Sequence, residues 1–178
     1  MKLNFLKRSR VLLGFFFFIW YSTISFSQRV TPITEKGLDS LITNRDGNIL
    51  LLNIWATWCE PCKEEFPDLI KLSSKYKKKN VQIIALSVDY PDEVNEKIIP
   101  FLDSLRVPFQ IFVADFASQD SLINTLNREW SGAVPATFIF DKNGIQKKFL
   151  LGKQTYNQFT SVVDELLKKD KLIKKQYR

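Results

Sequence analysis

The pattern of apolar and polar residues alternates between continuous apolar runs and stretches with helical spacing. Ile49–Ile54 and Val81–Val88 are almost wholly apolar, as is typical of strands buried on both faces of a sheet. Two shorter apolar runs predict further strands at Phe109–Val113 and Thr137–Phe140, and Ile145–Leu151 is predicted to pair back antiparallel to the second of them. The last two are separated by Asp141-Lys142-Asn143-Gly144, a sequence that favours a tight antiparallel hairpin.

Between the strands, apolar residues recur every three or four positions, which indicates helices with one buried face. The lead-in Thr31–Asp46 contains a short pattern of this kind around Leu38. Longer helices are predicted over Glu60–Tyr76, Pro91–Leu105, Ser118–Trp130 and Tyr156–Lys169. Strands that alternate with helices and end in a hairpin indicate an α/β fold, with a central mixed sheet flanked by helices on both faces.

Residues 1–27 have the composition of a secretory signal peptide, with basic residues first, the apolar run Val11–Trp20, and then Ser25 and Ser27. Cleavage after Ser27 would leave residues 28–178 as the mature domain. An uncleaved membrane anchor is the alternative, although Val11 to Phe26 spans 16 residues against roughly 20 for a bilayer. Both interpretations place the domain outside the cytoplasm, in the periplasm or on the outer face of a membrane.

Composition excludes several kinds of chemistry. The 178 residues include two cysteines and no histidine, so neither a Ser-His nor a Cys-His catalytic pair is available. One chain also cannot complete a zinc site of four cysteines, or of two cysteines and two histidines. The sequence therefore predicts no metal and no organic cofactor.

The net charge of +7 first suggests an anionic partner, but four of the basic residues lie within the first ten positions. Without residues 1–27 the net charge falls to +3. The remaining basic clusters, such as Lys77-Lys78-Lys79, are typical of solvated helix ends. The sequence therefore predicts no nucleic-acid function.

Both cysteines lie where the first buried strand gives way to a helix, in Cys59-Glu60-Pro61-Cys62. A thiol at a helix N-terminus lies near unpaired amide groups, which stabilise its thiolate. Cys59 is therefore predicted to attack a disulfide, and Cys62 to resolve the mixed disulfide. Pro61 suits the start of a helix because its missing N–H would be unpaired there. A purely structural disulfide and a zinc site shared by two chains are the alternatives.

Three further residues near the pair are candidates for a role. Glu65 falls at the edge of the helix's buried stripe, so desolvation should raise its pKa and let it exchange protons with the Cys62 sulfur. A solvated glutamate is the alternative, and we adopt that interpretation for Glu64. Asn53, in the buried strand, cannot titrate. Trp58, beside the nucleophile, is a candidate for the substrate surface.

The stretch from Trp55 to Cys62, followed by Glu65, resembles the thioredoxin superfamily and, more narrowly, the exported TlpA/ResA-type thiol-disulfide oxidoreductases. Gly132–Phe138 resembles the cis-proline loop of that family, and the hairpin turn after it also agrees. The resemblance covers about residues 30–170. It implies a thioredoxin-like fold for the domain.

The resemblance also implies roles for individual residues. Pro135 would be the cis-proline packed beside Cys59, and the backbone of Val134 would pair with an extended substrate segment. Glu65 corresponds to the glutamate that tunes the cysteine pair. Trp58, Glu60 and Pro61 are expected to contribute to the substrate-binding surface, and the Glu60-Pro61 pair is the one seen in ResA-type reductases.

The predicted function is an exported thiol-disulfide oxidoreductase that acts on protein disulfides, with reduction as the expected direction. Apocytochrome c awaiting haem attachment is one candidate substrate. An upstream membrane electron donor is required, since the chain has no second cysteine pair. Any membrane contact is expected only through an uncleaved N-terminal segment. The alternatives are a thiol peroxidase, disfavoured because Ala56 stands where such enzymes carry threonine, and a non-catalytic binding module.

Overall fold

The structure is a computed structural model that describes residues 30–176, apart from the side chains of residues 173, 174 and 176. The predicted signal peptide therefore lies outside the described residues, and its cleavage stays a prediction. The strands are β1 (Val30–Ile33), β2 (Ile49–Trp55), β3 (Val81–Ser87), β4 (Gln110–Ala114), β5 (Ala136–Phe140) and β6 (Gln146–Leu151). The α-helices are α1 (Glu35–Thr43), α2 (Glu60–Tyr76), α3 (Ile99–Leu105), α4 (Gln119–Leu126) and α5 (Tyr156–Gln176).

The six strands form one mixed sheet in the order β1-β4-β3-β2-β5-β6. The first four of these neighbours are parallel, whereas β5 and β6 are antiparallel to the strands beside them. Every residue of β2 is buried, because this strand lies inside the sheet and both of its faces are covered. The predicted fold class is confirmed.

The side chains of alternate β2 residues enter two separate hydrophobic clusters. Leu51 and its face of the sheet pack against α2, α3 and α5. Leu50 and the opposite face pack against α1 and α4. The helices thus cover both faces, and the carboxyl end of β2 delivers the chain to the start of α2, where both cysteines lie. None of the helices within residues 30–176 combines the length and hydropathy needed to cross a bilayer.

The last helix, α5, continues to Gln176, beyond the predicted end at Lys169, and three other elements differ more from the sequence-based prediction. The edge strand β1 was not predicted; it contains Pro32, which cannot donate to a neighbour and is tolerated in a sheet mainly at an edge. The predicted helix Pro91–Leu105 begins with a 3₁₀ turn and a π turn before α3. Pro100 explains the irregularity, since it has no N–H for the carbonyl four residues back.

The third difference is the predicted helix Ser118–Trp130, which ends at Leu126. Ser118 caps this helix, and its hydroxyl accepts from the N–H of Ser121. Asn127 then adopts an extended backbone, and its side-chain oxygen accepts from the N–H of Glu129. An asparagine that bonds to the backbone two residues on favours a turn over a continued helix, so Trp130 lies in a loop.

Candidate active site

Cys59 and Cys62 are joined by a disulfide at the N-terminus of α2, so the structure shows the oxidised form of the pair. Cys59 is the N-cap residue of the helix and is 6% exposed, while Cys62 is 1% exposed. Cys59 is therefore the more accessible residue of the pair. The order agrees with the predicted attacking and resolving roles, which stay predictions.

The Cys59 sulfur accepts a hydrogen bond from the backbone N–H of Cys62 at 3.3 Å. The carbonyl oxygen of Cys59 accepts from the N–H groups of Cys62 and Lys63, at 3.1 and 3.2 Å. This sulfur is thus the side-chain cap of α2, beside N–H groups that have no partner within the helix. After reduction, the same N–H and the helix dipole would stabilise a negative charge on this sulfur.

Glu65 lies on α2 one turn beyond Cys62 and is 1% exposed. One carboxylate oxygen accepts from the side-chain amide of Asn53 at 2.7 Å, and the other accepts from the backbone N–H of Gln154 at 2.5 Å. The same Asn53 nitrogen donates to the Thr137 hydroxyl at 3.0 Å. Strands β2 and β5 and the loop after β6 thus hold this one carboxylate.

Burial raises the pKa of Glu65 to about 7, since the charged form loses its hydration. The hydrogen bonds from Gln154 and Asn53 oppose this rise because they stabilise the carboxylate. The negative charge of Asp68 adds to the rise. The structure confirms the predicted shift and its cause, and it leaves a group able to take or give a proton near neutral pH.

The residues around the cysteine pair differ in their exposure. Glu64 is exposed and forms an ion pair with Lys153 at 2.6 Å. Trp55 is fully buried and packs edge-on against Phe66. Trp58 is 69% exposed, so an aromatic ring next to Cys59 is open to a partner.

A second carboxylate, not identified from the sequence, fixes the loop that carries Cys59. Asp89 follows β3 and is 3% exposed. It accepts from the backbone N–H of Thr57 at 2.9 Å, from the Thr57 hydroxyl at 2.7 Å and from the Ser87 hydroxyl at 2.6 Å. The sequence did contain a signal for this contact. Trp55 and Ser87 are register partners at the carboxyl ends of neighbouring parallel strands, so Thr57 and Asp89, which each follow two residues later, come close together.

The peptide bond between Val134 and Pro135 is cis, as the family resemblance implies. Trp130 supports the loop that leads to it, because its indole N–H donates to the carbonyl of Ala133 at 2.9 Å. The same ring packs edge-on against Phe138. The long segment before the proline therefore positions the loop. Substrate contact by Val134 and Pro135 stays a prediction.

These geometric features can be set beside known proteins. The sequence profile of the AhpC/TSA family matches residues 26–148. Thiol-disulfide oxidoreductase ResA of Geobacillus kaustophilus is 35% identical over 67% of this chain and 64% of its own length. Thiol-disulfide oxidoreductase ResA of Bacillus thuringiensis is 31% identical over 77% of this chain and 73% of its own.

The chain belongs to the AhpC/TSA family, and its relatives are ResA-type proteins of the thioredoxin superfamily. The predicted enzyme class, a thioredoxin-like thiol-disulfide oxidoreductase, is the class of these relatives. A crystal structure of a thioredoxin-family thiol:disulfide interchange protein from Chlorobium tepidum has the same fold. It is 20% identical, with a TM-score of 0.59 over 78% of this chain and 97% of that one.

Beside the cysteine motif lies a groove of about 460 Å³, here called the aromatic groove, which is lined by Trp58, Tyr90, Phe116, Trp130 and Gly132 among others. Tyr90 is 74% exposed, so two aromatic rings stand free at its rim. The segment between β4 and β5 contributes much of the wall. The sequence-based prediction included Trp58 but not Tyr90 or Phe116, since their proximity depends on how this segment packs.

Proposed function

We propose that this protein is an exported thiol-disulfide oxidoreductase that reduces disulfides in other proteins. The observation that supports the proposal most strongly is the capping of α2 by the Cys59 sulfur, which accepts the Cys62 N–H. That contact lowers the free energy of the Cys59 thiolate, and the thiolate is the form that attacks a disulfide.

In the proposed reaction the Cys59 thiolate attacks one sulfur of a substrate disulfide. That disulfide breaks, a mixed disulfide forms, and the second substrate sulfur leaves as a thiolate that takes a proton. Cys62 then loses its proton, attacks the Cys59 sulfur and releases the first substrate thiol. The substrate gains two electrons, and the protein is left with the Cys59–Cys62 disulfide that the structure contains.

Glu65 is the proposed acceptor for the Cys62 proton. It is on the same helix one turn away, and its pKa of about 7 suits proton transfer near neutral pH. Asn53 and the Gln154 N–H hold the carboxylate in place. Trp58, Glu60 and Pro61 would contact the substrate around the nucleophile. Val134 and Pro135 would border it on the other side.

The direction of the reaction is tested by the reduction potential of the purified protein, measured by thiol trapping in glutathione and dithiothreitol buffers. We expect a value near or below about −270 mV, the range of thioredoxin, as opposed to about −120 mV for a strong oxidant. A value at the oxidising end would make the protein a disulfide donor. Cys59→Ser serves as the control, and a variant that kept the protein's function in cells without a redox-active pair would indicate a non-catalytic binding module.

The substrate proposal, an apocytochrome c, is tested with a peptide that carries an oxidised Cys-x-x-Cys-His haem-attachment sequence. We expect the reduced protein to reduce this peptide faster than a peptide in which alanine replaces the histidine. Equal rates for both peptides would argue for a broad substrate range. Sustained turnover requires a membrane electron donor, and its depletion should leave the protein oxidised in cells.

The contacts of Thr57 argue against a thiol peroxidase. The residue three positions before Cys59 is Ala56, and the Thr57 hydroxyl already donates to Asp89. Neither residue therefore offers a free hydroxyl group to a peroxide at Cys59. The reduced protein should consume a hydroperoxide no faster than free dithiothreitol does. If the protein consumed it faster and Cys59→Ser abolished the difference, the thiol-peroxidase hypothesis would be supported instead.

A further inference from the structure

The end of the molecule opposite the cysteines carries a basic groove of about 900 Å³. It lies at the amino end of β2, between the β5–β6 hairpin and the last turns of α5. We call its charged lining the lysine face. Its charged residues are eight lysines and three aspartates: Lys78, Lys79, Lys142, Lys147, Lys148, Lys168, Lys169, Lys171, Asp141, Asp164 and Asp170.

Much of the positive charge on the lysine face is not neutralised locally. Ion pairs join Lys142 to Asp170 and Lys147 to Asp141. Lys169 pairs with Glu165, and Lys79 lies over the Tyr76 ring. Among the described residues, four lysines of the face form neither an ion pair with a carboxylate nor a cation–π contact, namely Lys78, Lys148, Lys168 and Lys171. All four are exposed. The face therefore attracts a partner with several negative charges.

Two large apolar side chains on the elements that carry these lysines are exposed. Ile145, in the hairpin, is 54% exposed, and Leu172, next to Lys171 on α5, is 58% exposed. Large apolar side chains flanked by lysines suit the interface of a bilayer, where the charges meet headgroups and the apolar groups enter the acyl boundary. A nucleic-acid site would instead present aromatic rings for stacking, and the groove lining contains none.

The direction of the chain places the same end toward any membrane that holds the N-terminal segment. Strand β1 runs parallel to β4, which is parallel to β3, as is β2. The chain therefore enters β1 from the side of the sheet at which β2 begins, the side of the lysine face. The sequence before Val30 contains the apolar run Val11–Trp20, whereas Cys59 follows the opposite end of β2.

We propose that the lysine face docks on the anionic phospholipid surface of a membrane and turns Cys59 away from the bilayer. Docking then presents Trp58 and the aromatic groove to soluble partners. Each lysine that approaches an anionic membrane strengthens binding roughly five-fold at moderate salt. The four unpaired lysines together therefore give a firm but salt-sensitive contact.

The test uses the full chain reconstituted into nanodiscs of phosphatidylcholine, with or without phosphatidylglycerol. Lysine exposure is measured by acylation with a water-soluble reagent followed by mass spectrometry. We expect phosphatidylglycerol to slow the labelling of Lys148 and Lys168 several-fold, and high salt to restore it. Lys36, Lys63 and Lys153 are internal controls near the cysteine end, and their labelling should not change.

Equal labelling of the lysine face with and without phosphatidylglycerol would overturn the proposal. Slow labelling in nanodiscs of pure phosphatidylcholine would also overturn it, because the N-terminal segment would then hold the face at the bilayer without any lipid charge. Two soluble polyanions, an acidic peptide and a single-stranded oligonucleotide, are added to the phosphatidylcholine sample. If either protects the lysine face while phosphatidylglycerol does not, the partner is a macromolecule of that class and the lipid proposal fails.

Charge reversal provides an independent check. Lys148→Glu and Lys168→Glu should each weaken the protection of the remaining lysines about five-fold or more in phosphatidylglycerol. Lys36→Glu is the matched control, because Lys36 is also exposed but lies at the start of α1, after the carboxyl end of β1. All three variants should reduce a small soluble disulfide at the wild-type rate. Equal loss of protection in Lys36→Glu would refute a role specific to the lysine face.

Discussion

Two buried carboxylates flank the cysteine loop, and they are held in different ways. Asp89 accepts from two groups of Thr57 and from the Ser87 hydroxyl. Glu65 accepts from Asn53 and Gln154, and the charge of Asp68 acts against its ionisation. The first carboxylate ties a loop in place, whereas the second is left able to hold a proton near neutral pH. Burial alone therefore does not distinguish a carboxylate that fixes a loop from one proposed to transfer protons, and the number of donors around it must be considered.

The largest effect on stability is expected for Asp89→Ala. Removing this carboxylate leaves the Thr57 N–H, the Thr57 hydroxyl and the Ser87 hydroxyl without their acceptor. Each unsatisfied group costs about 1–3 kcal/mol where water does not replace the partner. We expect a loss of about 4 kcal/mol in the free energy of unfolding, measured by urea denaturation.

Asp89→Asn is the matched variant, because it keeps one acceptor oxygen and removes the charge. It should lose less stability than Asp89→Ala and should keep the pH dependence of the wild-type reaction. If Asp89→Asn instead removed an inflection near pH 7 from the rate profile, the distinction between the two carboxylates would be wrong.

Glu65→Gln is expected to change the pH dependence of stability. The pKa of Glu65 is about 7 in the folded protein against 4.5 for an ordinary glutamate, so the folded state binds the proton more tightly. Stability therefore falls as the pH rises from about 4.5 through about 7, and the total change is about 3 kcal/mol. The variant should lack this fall when urea unfolding is measured across the range.

The same variant should slow release of the mixed disulfide above neutral pH, since Cys62 would lose its proposed proton acceptor, and should leave the first attack by Cys59 unaffected. Stopped-flow measurement of the two steps separates them. If both steps in Glu65→Gln showed the wild-type dependence of rate on pH, the carboxylate would have no part in proton transfer.

Asn53→Asp should sharpen the comparison by giving Glu65 a second negative neighbour. The Asn53 amide nitrogen lies 2.7 Å from the Glu65 oxygen, and two carboxylates so close cannot both ionise readily. Two coupled carboxylates titrate in two steps. We expect the higher of the two apparent pKa values to exceed the pKa of Glu65 in the wild-type protein by at least about one unit, or about 1.4 kcal/mol. Carboxyl carbon NMR titration measures it. Asn53→Leu is the control, because it removes the hydrogen-bond donor without adding a charge. A pKa in Asn53→Asp no higher than in Asn53→Leu would contradict the prediction.

The sequence predicted the fold class and the cysteine site because both depend on local patterns. The runs at β2 and β3 and the helical spacing after Cys59 are periodicities within one element, and the helix Glu60–Tyr76 has the predicted bounds. The burial of Glu65 also followed from its position on that helix. These features needed no knowledge of which strands are neighbours.

The remaining features depend on neighbours that are distant in the sequence. Asp89 lies beside Thr57 because β3 pairs with β2, and Gln154 reaches Glu65 across 89 positions. The edge strand β1 is only four residues long and includes a proline, so its local signal is weak. The aromatic groove likewise depends on how the segment after β4 packs against Trp58.

The smallest effect is expected for Thr137→Val, which tests how far the support of Glu65 extends. The Thr137 hydroxyl accepts from the Asn53 amide at 3.0 Å, and valine keeps the branched shape that suits β5. Asn53 still donates to Glu65, so we expect a loss of about 1 kcal/mol in unfolding free energy and little change in the pH dependence. A clear shift of the inflection near pH 7 would instead show that Thr137 sets the position of the Asn53 amide and, through it, the proton affinity of Glu65.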